Sequence, residues 1–238
     1  MKIAASQSDL EKIILRYVSH FSYHYWTSGI VPSYPPEKID RLSKKFAELY
    51  GTLRAPHWRS YQKRKGLTRA FCVAYRLPNS TDYKFYLLAT DGIGNVRSDQ
   101  RMSDARDKPI EVGDLRLLQM TRPKALGGGT RWTWQVDWAA QTAHDKHLLA
   151  AVKEGNARVL ADGLKYIQGY SMHSAARAWV RHQIKSKAAL WKKVWPQKPW
   201  PGPDPEASLP VVRLTKIKYD ESLGFGDRPG SPDQRKVN

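Results

Sequence analysis

The chain is 238 residues long, 41% hydrophobic, and carries 40 Lys and Arg against 22 Asp and Glu, a formal net charge of +18. An excess of this size destabilises a compact fold by self-repulsion unless a polyanion offsets it, so nucleic acid is the first partner to consider. The lone cysteine, Cys72, excludes an intrachain disulfide and a multi-cysteine zinc site. No apolar run approaches the ~20 residues of a membrane span, and residues 1–10 lack a leader's apolar core, so a cytoplasmic protein is expected.

Ser8 followed by Glu11 has the form of a capping box and predicts a helix opening at Asp9. Leu10, Ile13, Ile14, Tyr17 and Phe21 repeat at helical spacing as its buried face. Gly29, Pro32, Pro35 and Pro36 then interrupt the chain. A second helix is expected over 36–50, with Ile39, Leu42, Phe46 and Leu49 inward and Gly51 as its stop. Segment 54–66 sets His57, Trp58 and Tyr61 among basic residues and reads as a basic loop or short helix.

Residues 69–77 and 83–89 are rich in aromatic and aliphatic side chains, with Pro78, Asn79 and Ser80 between them, which is a hairpin signal. In and just after the loop over 95–108, Asp99, Asp104, Asp107 and Glu111 alternate with Arg97, Arg101, Arg106 and Lys108. That alternation reads as salt bridging rather than as a metal site, and no metal or cofactor is expected. Residues 115–121 and 131–137 form a second hairpin signal across Gly127, Gly128 and Gly129. Residues 142–195 are helical, divided into three by Gly155, Gly169 and the stretch at His173. The prolines at 199, 201, 203 and 205 forbid regular structure, 211–219 reads as a last strand that would bring the chain ends together, and the tail is rich in Gly and Pro.

The pattern is α+β: an antiparallel sheet of about five strands, N-terminal helices, and a helical insertion before the last strand. The expected division is a nucleic-acid-binding core over 1–141, a basic helical insertion over 142–196, a proline-rich connector over 197–210, and the last strand and tail over 211–238.

The charge is unevenly placed. Between Glu48 and Asp82 there is no acid but seven cations: Arg54, Arg59, Lys63, Arg64, Lys65, Arg69 and Arg76. Between Asp162 and Asp204 there are eight: Lys165, Arg177, Arg181, Lys185, Lys187, Lys192, Lys193 and Lys198. A merely solvated surface mixes both signs, so these stretches read as a phosphate footprint. In the first, Trp58 and Tyr61 stand among the cations as surfaces for base stacking. In the second, Val180, Ile184, Ala188 and Trp191 make an apolar stripe beside a basic one of Arg177, Arg181, Lys185 and Lys192, with Lys193 adjoining.

Arg16, His20 and Tyr23 of the first helix stand at i, i+4 and i+7 and so share one face, distinct from the core face. Metal-free RNA cleavage needs a base for the 2′-OH, a cation for the phosphorane and an acid for the leaving oxygen, and these residue types can supply them. The blander reading is a packed His and Tyr with a solvent-facing Arg. Arg41, on the polar side of the second helix, and Arg228, on the tail, are further candidate cations. The chain has no relaxase His-hydrophobic-His pair, no nuclease Asp/Glu-x-Lys motif, no phosphate-binding loop and no His-Glu-x-x-His.

A basic α+β chain with a helical insertion and the segment Gly224, Phe225, Gly226, Asp227, Arg228, Pro229, Gly230 near its end resembles the metal-independent CRISPR crRNA-processing endoribonucleases, nearest their divergent type IV form. The resemblance implies a ferredoxin-like fold, recognition of a repeat hairpin, cleavage at its 3′ side, and retention of the product in a ribonucleoprotein. The alternative is a non-enzymatic DNA-binding accessory or replication protein of a mobile element, with the helix at 174–195 in a major groove.

Overall fold

The computed structural model describes residues 1–35, 37–212 and 217–220, with Pro56 and Leu126 by backbone alone. The class is α+β, and the chain divides into two compact units. The first comprises Met1–Lys108 with the terminal residues from Ile217, and the second Pro109–Lys216.

The first unit holds β1 (Lys2–Ala4), α1 (Gln7–Phe21), β2 (Tyr25–Val31), α2 (Glu37–Tyr50), α3 (Pro56–Arg64), β3 (Ala70–Arg76), β4 (Tyr83–Ala89), α4 (Val96–Asp99) and β5 (Ser103–Asp104). The sheet order is β1-β3-β4-β2-β5, and the sheet is mixed rather than purely antiparallel, because β1 lies parallel to β3. Both faces of this sheet are covered, which explains why β3 is buried from Ala70 through Tyr75 instead of alternating. On one face Tyr17 of α1 stacks on Phe71 with ring centroids 3.6 Å apart, and Leu10, Ile13, Ile14 and Val18 are buried with it. On the other, Ile39 and Phe46 of α2 join Cys72, Ala74, Leu87 and Ala89. Each fully buried aliphatic side chain contributes roughly 1.5–3 kcal/mol.

Three local expectations are corrected. Helix α1 begins two residues earlier than expected, because Ser6 rather than Ser8 is its cap. The Ser6 hydroxyl accepts from the Asp9 N–H at 3.1 Å and donates to the Asp9 carboxylate at 2.8 Å. Strand β2 lies where Gly29 reads as a chain breaker. A Cβ built on Gly29 would come within 2.7 Å of the Phe85 ring directly across the sheet, so close packing, not a turn, requires glycine there. The helix also stops at Phe21, with Ser22 in the left-handed region at φ 60, so Tyr23 does not continue the face of Arg16 and His20.

The last described residues return to β1. The Ala5 N–H donates to the Lys218 carbonyl at 3.3 Å, the Asp220 N–H donates to the Ile3 carbonyl at 2.9 Å, and Tyr219 pairs antiparallel with Ala4. Tyr219 thus meets β1 rather than one of the hairpins, by an isolated bridge; the described residues of 211–219 form no regular strand, and 213–216 lie outside the described residues.

The second unit holds β6 (Ile110–Val112), β7 (Leu115–Thr121), β8 (Thr130–Val136), α5 (Trp138–Lys153), α6 (Ala157–Gln168) and α7 (Ser174–Val194). The second hairpin does not extend the first sheet. It makes a separate three-stranded antiparallel sheet that goes with the three helices following it. Leu148, Val152, Leu160, Leu164, Val180, Ile184 and Trp191 form the helical core. The proline-rich connector has no regular structure but is tied down. The Trp191 indole donates to the Pro199 carbonyl at 3.1 Å, and Trp200 packs on the helical core. Among the described residues no helix is long and apolar enough to cross a membrane.

Candidate nucleic-acid interface

A cleft of about 450 Å³ in the first unit gathers cations from four separate elements. Lys2 comes from β1, Arg16 from the last turns of α1, Arg59 and Lys63 from one face of α3, and Arg69 from the residue before β3. The spacing of four on α3 is what puts Arg59 and Lys63 side by side. Rings line it as well: Tyr17 and Phe21 from α1, the buried Tyr23 just after its left-handed cap, and Tyr219 from the segment that returns to β1, with Ile13, Ser60 and Ile217 between them. Among the described residues no carboxylate lines the cleft, and none lies within ion-pair distance of these five cations.

The cations are held by rings and carbonyls instead. The Arg59 Nη1–H donates to the Tyr17 hydroxyl at 3.2 Å, and the Arg69 Nη2–H donates to the Phe21 carbonyl at 3.2 Å. The Arg69 guanidinium also lies 5.4 Å from the Tyr23 ring centroid, Arg16 lies 6.0 Å from that of Phe21, and Lys2 4.8 Å from that of Tyr219. Two unit charges ~8 Å apart at an effective dielectric of ~20 repel by about 2 kcal/mol. A cluster of five without a counter-charge is thus a standing cost that a bound anion removes.

The titration of the lining groups follows the same physics. Burial lowers the Lys2 pKa below its ordinary value, and the neighbouring Arg59 lowers it further. Burial raises the phenols of Tyr23 and Tyr219, against the pull of nearby arginines. Both phenols are therefore proton donors at neutral pH and not bases.

Of the residues singled out from the sequence, the cleft unites Arg16, Tyr23, Arg59, Lys63 and Arg69. Tyr23 reaches it by the Ser22 turn, with its N–H donating to the Tyr17 carbonyl at 3.2 Å. His20 is exposed on α1, hydrogen-bonded between Nδ1 and the Ser19 hydroxyl at 2.7 Å, and does not line the cleft. Arg41 is exposed on α2, which covers the opposite face of the sheet from α1. Arg228 lies outside the described residues. Arg54 is drawn away by Trp58, with its guanidinium 4.4 Å from that ring. Tyr61 leans on Trp58 at 5.1 Å, and Arg64 and Lys65 are exposed.

In the second unit, Arg181, Lys192 and Lys193 are exposed on α7 and Arg177 is half-buried. Part of the charge there is internally answered. Lys185 binds Glu206 at 2.9 Å, Lys187 is buried against Asp145 at 2.5 Å, and Lys198 lies over the Trp195 ring at 4.2 Å. The acid-free sequence stretch is therefore not an acid-free surface. The mixed-charge loop behaves as expected, with Arg106 chelating Asp104.

Sequence reasoning missed Lys2, Tyr17, Phe21 and Tyr219. Tyr17 and Phe21 fit the helical repeat and were assigned to the core, yet Phe21 is 41% exposed. Lys2 and Tyr219 enter through the pairing of Ala4 with Tyr219, which carries no local signal. No protein-family model, no curated protein and no solved structure matches the chain.

Proposed function

We propose that the protein is an RNA-binding protein of the cytoplasm whose cleft takes a phosphate and its attached unpaired nucleotide. The observation that carries this is the convergence of Lys2, Arg16, Arg59, Lys63 and Arg69 on one concave surface with no carboxylate among its described lining residues, beside the exposed rings of Phe21 and Tyr219. A concave site with rings suits a splayed nucleotide better than the convex backbone of a continuous duplex, and RNA loops and bulges present such nucleotides. Fluorescence anisotropy with a stem-loop RNA and a fully paired DNA of matching sequence tests it. The RNA binds more tightly, and the double variant Arg59→Ala/Lys63→Ala weakens it and flattens its salt slope by about 0.7–0.9 per lost phosphate contact. Equal binding of both probes, or an unchanged slope, overturns the reading.

Cleavage of that RNA is a second reading, favoured by the meeting of Arg16 and Arg59 beside the exposed phenol of Tyr219, Tyr23 itself being buried. Arginines here suit the charge of a phosphorane, and a phenol kept protonated suits the leaving oxygen. Among the described residues no imidazole lines the cleft. The two readings part on the product: only cleavage yields a 2′,3′-cyclic phosphate, formed in EDTA and abolished by a 2′-deoxy residue at the cut.

A further inference from the structure

The second unit carries a charged surface of a different build. Between Asp114 and Asp137 there is no acid, and four cations, Arg116, Arg122, Lys124 and Arg131, lie on or near the β7–β8 hairpin. At the base of this ribbon Arg116 has two carboxylate partners, Asp137 at 3.1 Å and Glu111 at 3.8 Å. At its other end Arg122, Lys124 and Arg131 are exposed and have no carboxylate partner among the described residues. The same hairpin thus neutralises its charge where it is packed and leaves it open where it is not.

The ribbon also outruns its core. Leu115, Leu117, Trp134 and Val136 are buried, whereas Gln119, Met120 and Thr121 of β7 and Thr130 and Arg131 of β8 are exposed. Three residues of strand project by roughly 10 Å before the loop is counted. The register pairs Met120 with Arg131, and Gln119 donates to Thr130 at 3.0 Å, so the projecting part stays laddered. Its loop closes through Gly127, Gly128 and Gly129, all at positive φ, with nothing within 4 Å of the Cβ each lacks. On the face that carries Arg131, Thr133 lies two residues further along and is hydrogen-bonded to the Ser174 hydroxyl at 2.9 Å. Ser174 opens α7, and Arg177 and Arg181 follow on it. Ribbon and helix stripe are thereby joined within one unit.

We propose that the β7–β8 ribbon is a second nucleic-acid contact, its tip cations Arg122, Lys124 and Arg131 meeting the phosphates that flank the shallow minor groove of an RNA stem. The inference rests on the RNA-binding reading of the cleft. It extends that reading, because a stem is met by shape and phosphates while an unpaired nucleotide enters a pocket. Exposed cations without partners are the group that a polyanion can engage at least structural cost, and a narrow ribbon end without side chains on its glycines approaches a backbone closely.

The test compares two triple variants of the full chain on three probes: a stem-loop RNA of about 20 base pairs, the corresponding DNA duplex, and a single-stranded RNA. Arg122→Ala/Lys124→Ala/Arg131→Ala removes the tip. Lys38→Ala/Lys44→Ala/Lys45→Ala removes the same charge from the exposed side of α2. The tip variant melts normally, binds the stem-loop at least about tenfold more weakly, and loses about 2–3 from its salt slope, at ~0.7–0.9 per contact. Its affinity for single-stranded RNA changes little, and the α2 variant stays near wild type on all probes. Equal losses in both variants mean that only net charge matters and overturn the proposal. An unaffected stem-loop affinity in the tip variant, with Arg59→Ala/Lys63→Ala still weakened, overturns the ribbon and leaves the cleft standing. A tip-dependent preference for the DNA duplex overturns the assignment to RNA, and a wild-type protein that binds none of the probes overturns ribbon and cleft together.

Discussion

The Tyr17 ring does two things at once: one face stacks on Phe71 at 3.6 Å, and its hydroxyl accepts from Arg59 at 3.2 Å. The core thereby sets the position of a cation in the cleft. Tyr17→Phe separates the two roles. It keeps the stack and releases Arg59, so RNA affinity falls by about 0.5–1.5 kcal/mol, or roughly 2–10-fold, while the melting temperature barely moves. Tyr17→Ala loses both. Unchanged binding by Tyr17→Phe shows that Arg59 needs no such support.

Lys2 gives a pH-dependent signature. Its folded-state pKa lies below the ordinary 10.5, first because of burial and then because of Arg59. Between the folded and unfolded values the unfolded chain binds more protons, so this residue makes stability rise with pH up to about the ordinary lysine value. A bound phosphate reverses the shift, and binding on the alkaline side is then accompanied by proton uptake. Calorimetry in buffers of different ionisation enthalpy reads the uptake directly, and Lys2→Met abolishes it. Identical uptake in the variant would place the titrating group elsewhere.

Trp58 and Tyr61 behave differently from one another. The Trp58 ring is half-buried, has Arg54 over it at 4.4 Å, and keeps its indole nitrogen buried without a hydrogen-bond partner among the described residues. Trp58→Ala therefore costs stability, roughly 2 kcal/mol, and leaves affinity per folded molecule close to normal. Tyr61, 40% exposed, is the ring with a free face. Tyr61→Ala leaves thermal melting unchanged and costs about 1–3 kcal/mol of binding if a base stacks there. The reverse pattern would make Trp58 the stacking platform.

Gly29 tests the packing of the sheet. Gly29→Val forces a branched side chain against the Phe85 ring, 2.7 Å from the first added carbon, and destabilises the first unit by about 1–3 kcal/mol. Pairing it with Phe85→Leu restores part of that in chemical denaturation. Failure of the second change to help would locate the strain in the backbone rather than in the ring.

What the sequence revealed and what it hid have separate physical causes. Helical repeats in α1, α2 and α7 and the aromatic and aliphatic enrichment of β3, β4, β7 and β8 are local patterns, and the elements fall close to where those patterns put them. Gly29 misled because a glycine that accommodates a neighbour's ring reads like one that turns the chain. Arg16 and Tyr23 were paired on a helical face that ends before Tyr23, yet the left-handed Ser22 turn brings both to the same cleft. Arg59, Lys63 and Arg69 stood out because they cluster in sequence. Lys2 and Tyr219 stood out in no window, since only the sheet brings them together. The partners of Lys185 and Lys187 are Glu206 and Asp145, beyond the stretch whose lack of acid drew attention to it.

The pairing of Tyr219 with Ala4 joins residues separated by nearly all of the described sequence, so one wall of the cleft depends on a contact between distant parts of the chain. The entropy of closing so long a loop must be met before that wall exists. Local detachment of the Tyr219 segment from β1 therefore dismantles one side of the cleft while the central strands β3 and β4 stay folded, and the shape of the cleft is set by the least local contact of its unit.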